Sequence, residues 1–115
     1  MNQVQEVEIS IEQATWQVQR MRIMERLIAN QDWQEIIEKG YFTEYAVQQV
    51  NMKAQPSRQK PEFQEAILKN IDAIGVLQMH VASILQMGKT AEEELIAYNK
   101  THDELMEEEL ADVGS

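Results

Sequence analysis

The chain has 115 residues, no cysteine and a formal net charge of −10. The missing thiols exclude disulfides, thiolate metal sites and cysteine nucleophiles together, and fit a reducing cytoplasm. A chain this short builds one modest core, burying roughly two thirds of the surface its unfolded form exposes, so leftover apolar surface is expected to find cover in another copy or another protein.

The charge is unevenly placed. Residues 91–115 hold nine acidic groups (Glu92, Glu93, Glu94, Asp103, Glu104, Glu107, Glu108, Glu109, Asp112) against Lys100 alone, for a local charge of −8. Such an end repels phosphates and anionic lipid, so neither nucleic acid nor membrane is an expected partner; basic protein surfaces are. Residues 1–10 lack the basic start and apolar stretch of a secretory leader. The least polar window, Ala73 to Met87, is interrupted by Gln78, His80, Ser83 and Gln86, so no membrane span is read and a soluble chain is expected.

In chain order, Val7, Ile9 and Ile11 alternate like a strand, while Val4, Val7, Ile11, Ala14, Val18, Met21 and Ile28 keep the three-four spacing of a helix. Ser10 with Gln13 three residues later has the form of a capping box, which predicts a first helix over 11–29. Two short helices are predicted over 32–54. Asp32 and Glu35 repeat the capping signature, Lys39-Gly40 reads as a stop, and Thr43 reads as the next start. Tyr41 and Phe42 between them look like anchors of that corner, with Trp16 and Trp33 as further packing anchors.

Residues 55–60 are polar, carry Pro56 and are followed by Pro61, which marks a linker with Pro61 at the first helical position. A long helix is predicted over 61–110. Phe63, Ile67, Ile74, Leu77, Val81, Ile84, Ala91, Leu95, Tyr98 and Leu105 share one heptad frame, whose remaining places hold Asn70, Gly88 and His102. A frame kept that long predicts a continuous coiled-coil-like helix of about 65 to 75 Å. The competing reading breaks it at Gly88, with Thr90 and Glu93 capping a new start. Asn70 either fixes register as a buried polar group or sits where the helix is covered on one side only. The fold class expected is all-α: a single domain over 1–115, an elongated helical hairpin or bundle with a long C-terminal helix.

No constellation for catalysis is present. His80 and His102 are the only histidines, and neither stands in an arrangement that puts metal ligands on one helical face. The acidic runs point in different directions around a helix and stay hydrated, so they do not divide into acid and base. There is no Gly-rich phosphate loop and no nucleophile elbow. An enzyme is not expected, nor is a cofactor, a metal or a small-molecule substrate.

Ser10-Ile11-Glu12-Gln13-Ala14, the segment Trp33-Gln34-Glu35-Ile36-Ile37-Glu38-Lys39-Gly40-Tyr41-Phe42, Ile71-Asp72-Ala73-Ile74-Gly75 and Gln86-Met87-Gly88-Lys89-Thr90-Ala91-Glu92 together resemble small acidic helical proteins encoded among the virion genes of tailed bacteriophages. The resemblance spans most of the chain. It implies a virion structural or assembly protein, located in the host cytoplasm during assembly and in the virion afterwards, with no catalytic residues to carry over.

The expected function is therefore helix-mediated contact with further copies and with larger virion proteins. Ile67, Asn70, Ile74, Leu77, Val81, Ile84, Leu95 and Tyr98 are the expected seam, with Trp16, Trp33, Tyr41 and Phe42 as anchors. The alternative is an acidic helical regulatory binder or inhibitor that occupies a basic groove on a host protein, which the −8 end suggests.

Overall fold

Residues 2–114 are described by a computed structural model, in which the chain is all-α with one long C-terminal helix and no strand among the described residues. Met1 and Ser115, the ends of the expected 1–115 domain, lie outside them. The first helix, α1 (Gln3–Ala29), starts well before the predicted Ile11. Asn2 is the reason. Its Oδ1 accepts the Gln5 backbone N–H at 2.8 Å, and Gln5 Oε1 accepts the Asn2 N–H at 3.1 Å, a reciprocal capping box one helical segment upstream of the one predicted. Ser10 is interior instead, its hydroxyl donating to the Glu6 carbonyl one turn back.

Asn30, in extended backbone, ends α1 and caps the next helical segment: its Oδ1 accepts the N–H groups of Asp32 and Trp33. A short α2 (Gln31–Trp33) leads into a π-helical stretch, Gln34–Tyr45, and then α3 (Ala46–Ala54). The two short helices predicted over 32–54, separated at Lys39-Gly40, are thus one helical run. Gly40 does not adopt the positive φ that a glycine stop requires. It serves the wider winding, because a Cβ there would stand 3.2 Å from the Glu35 carbonyl oxygen. Thr43 caps nothing: its hydroxyl donates to the Glu38 carbonyl five residues back, at 3.0 Å, the separation that a π-helix places in reach.

Residues 55–60 form a pinned corner. Pro56–Arg58 make a 3₁₀ turn. The Gln59 side-chain amide donates to the carbonyls of Lys53 and Gln55, and that of Gln64 to the carbonyls of Lys53 and Arg58. Helix α4 (Pro61–Gly114) then runs without interruption through Gly88, 54 residues and about 80 Å at 1.5 Å per residue. Of the two readings of Gly88, the continuous helix is the one found.

By its internal packing the chain falls into two compact units where the sequence predicts one domain: Met1–Met24 with Ile84–Ser115, and Glu25–Ser83. In the first unit, α1 and the C-terminal part of α4 run antiparallel. Glu8 meets His102 at 3.1 Å, Arg22 pairs with Glu92, and Met21 lies against Gly88. Ala14, Met21, Met24 and Ala91 form its buried seam. In the second unit Ile67 and Ile74 are buried on α4, each burial stabilising by about 2 kcal/mol. Gln49 of α3 is buried as well, and its Oε1 accepts a 3.1 Å hydrogen bond from Asn70 Nδ2.

Candidate protein-binding surface

The heptad frame predicted on α4 is the face this chain uses for its own packing. Ile67 and Ile74 are buried, and Leu77, Val81, Ile84, Leu95, Tyr98, His102 and Leu105 are half-buried. The buried members are not free for a partner, whereas Tyr98 keeps part of its ring on the open surface between α1 and α4. Asn70 is itself exposed, so it is not the buried polar group of the register reading, but its amide reaches the buried Gln49.

The aromatic anchors divide between the units. In the second, Tyr41 stacks on Tyr45 with ring centres 5.5 Å apart, and Phe42 lies tilted against Tyr41 at 6.0 Å. Trp33 is half-buried, and its indole Nε1 is enclosed with no hydrogen-bond partner among the described residues. Arg58 has its guanidinium 5.5 Å from the Phe63 ring centre. In the first unit Trp16 is not a core anchor: it is 53% exposed, with Arg20 over its ring at 4.8 Å.

The surface that remains apolar lies off the heptad frame. On α4, Leu68, Val76 and Met79 are exposed, Val76 by 65% and Met79 by 73%. With Asp72 and Ser83 between and after them, they recur at three and four residues on a second stripe, a signal present in the sequence but hidden by the stronger one. Ile36, Val47 and Val50 are exposed on the second unit as well. No large side chain among the described residues is fully buried.

One concave feature stands out. In the first unit a groove of about 550 Å³ runs between α1 and α4, floored by Ala14 and Ala91 and walled by Trp16, Met87 and Tyr98, with Glu94 on its edge. A shallower depression beside it shares Gln13 and Trp16 and adds Ile9 and Glu12. Toward the chain ends of the same unit, Glu6, Glu108, Glu109 and Asp112 gather around a third hollow. No cluster of three or more metal-ligating side chains occurs among the described residues.

The long helix also holds one 18-residue window of mean hydropathy 1.2 that is long and apolar enough to cross a membrane, with 17% of it buried. The polar interruptions in the sequence leave its mean that high because Ile, Leu and Val fill the places between them. Compared with protein-family models, curated proteins and solved structures, the chain matches none.

Proposed function

We propose that this chain is a non-enzymatic structural or assembly protein that works through helix-mediated contacts with further copies of itself and with larger proteins. The observation that carries the reading is the exposed stripe Leu68, Val76 and Met79 on a helix whose opposite face is already used for packing. Apolar side chains left this bare gain about 25 cal/mol for each Å² that a partner covers. The setting, a virion of a tailed bacteriophage, rests on the sequence resemblance alone. Absolute molar mass across protein and salt concentration tests the first statement, and mass spectrometry of purified particles tests the second. A monomer at every concentration, or absence from the particles, removes the corresponding part.

The acidic regulatory binder is kept as a second reading because the carboxylates of both helices gather at one end of the first unit. Deleting residues 91–115 is not a clean test of it, since that segment is the packing partner of α1. Changing Glu107, Glu108 and Glu109, all exposed, to Gln removes charge while leaving the seam in place. Loss of binding to a basic target with the fold and molar mass retained supports the regulatory reading over the structural one.

A further inference from the structure

We propose that the groove between α1 and the C-terminal part of α4 receives a basic amphipathic helix of a partner protein, its apolar stripe on the groove floor and its Lys or Arg side chains along the edges. The inference deepens the protein-contact reading and rests on it. The shape comes from side-chain size. Ala14 and Ala91 make a low floor between two antiparallel helices, while Trp16 and Met87, 53% and 48% exposed, stand above it as apolar walls. The lining residues on α4 run from Gln86 to Tyr98, which at 1.5 Å per residue is about 18 Å, room for some three turns of a helix. A helix laid along such a cleft packs its ridges into both neighbours at once, the geometry of an amphipathic helix in a groove.

Charge selects the occupant. The first unit carries twelve acidic residues against Arg20, Arg22, Lys89 and Lys100, a net −8 of the chain's −10. Glu94 edges the groove and Glu12 the depression continuous with it. Two of the four cations are already engaged, Arg20 over Trp16 and Arg22 with Glu92. The first unit of a second copy would bring the same −8 to this face and be repelled, as would anionic lipid or nucleic acid. A cationic helix is drawn in and held in register by the edge carboxylates. A basic tail without an apolar stripe would leave Trp16 and Met87 uncovered.

The test uses the full chain with Trp33→Phe, so that Trp16 is the sole tryptophan. Three synthetic peptides of about 18 residues are titrated: an amphipathic Leu/Lys helix, the same composition scrambled, and an amphipathic Leu/Glu helix. The expected result is a saturable change in Trp16 emission with the first at one peptide per chain, roughly tenfold weaker or more in high salt, and at least roughly tenfold weaker binding of the other two. Isothermal titration of the unsubstituted chain gives the same stoichiometry if Trp33→Phe disturbs folding. Thr90→Lys with Glu94→Lys, both exposed positions in the groove, is expected to lower affinity for the Leu/Lys helix roughly tenfold or more with unchanged helicity. Equal binding of the scrambled or the Leu/Glu peptide overturns the proposal, as does no binding at all or an unaffected Thr90/Glu94 double variant. A Trp16 signal that follows chain concentration instead of peptide assigns the groove to a second copy and also overturns it. Self-assembly that persists in the double variant while peptide binding is lost separates this inference from the more general reading.

Discussion

Gly88→Ala and Gly75→Ala are the same chemical change at two points of one helix, and they are expected to move stability in opposite directions. In an otherwise unconstrained helix interior, alanine is more favourable than glycine by about 1 kcal/mol. At Gly75 nothing stands within 4 Å of the new methyl, so the full gain is expected, raising the melting temperature by about 4 °C. At Gly88 the methyl would lie 2.2 Å from Met21 Cβ and 2.9 Å from its Cγ and Sδ. The long end of Met21 is free to rotate, but its Cβ is fixed by the α1 backbone. Restoring an ordinary carbon–carbon contact of about 3.5–4.0 Å therefore requires the helices to part by about 1.5 Å. Overpacking of this kind costs about 1–3 kcal/mol, and parting also uncovers the neighbouring seam at Ala91. With the propensity gain set against this, Gly88→Ala is expected to destabilise by up to about 2 kcal/mol. The two variants should then differ by about 1–3 kcal/mol in urea or thermal unfolding followed by circular dichroism. Equal stabilisation by both would refute the close approach of α1 to α4.

Asn70→Ala is expected to destabilise by about 1–3 kcal/mol, because it leaves Gln49 Oε1 buried without its donor, whereas Asn70→Leu with Gln49→Leu should recover most of the loss in the same unfolding assay. Asn2→Ala removes the cap of α1 and should cost about 1 kcal/mol, seen as faster amide hydrogen exchange confined to its first turns. Arg22→Ala should change stability by less than about 1 kcal/mol, since both partners of its pair with Glu92 are about half exposed. Val76→Glu with Met79→Glu, on the exposed stripe, should lower the molar mass of any self-assembled form while leaving helicity unchanged.

What the sequence conveyed best was what repetition encodes. The frame from Ile67 to Leu105 marks the inward face of α4 because a helix buries the positions that recur at three and four, and their sum along many turns outweighs any one exception. Gly88 stays in phase for the same reason. Local signals did worse where two candidates competed. Ser10-Gln13 and Asn2-Gln5 are both capping patterns, and nothing short of the backbone decides that the one nearer the N-terminus is used. Lys39-Gly40 and Thr43 read as a stop and a start, but a π-helical winding reaches five residues back and absorbs both. Gln49 is invisible in the sequence as a core residue, since the donor that satisfies its buried oxygen, Asn70, lies 21 residues further along the chain. The candidate surface was the least legible part. Frame positions read as the interface, yet the chain itself covers Ile67 and Ile74, while Trp16, read as an anchor, stands with Tyr98 in the wall of an open groove.

A heptad seam has a weakness rooted in its regularity: sliding one helix along the other by a full repeat matches apolar to apolar again, so the pattern alone describes several alignments of nearly equal merit. The contact between Gly88 and Met21 removes that ambiguity. A slide of seven residues in either direction would put Val81 or Leu95 where only a hydrogen atom fits. The frame's one glycine thus works as a keyway, admitting the α1 backbone at a single setting and turning a repetitive zipper into a joint with one closed position.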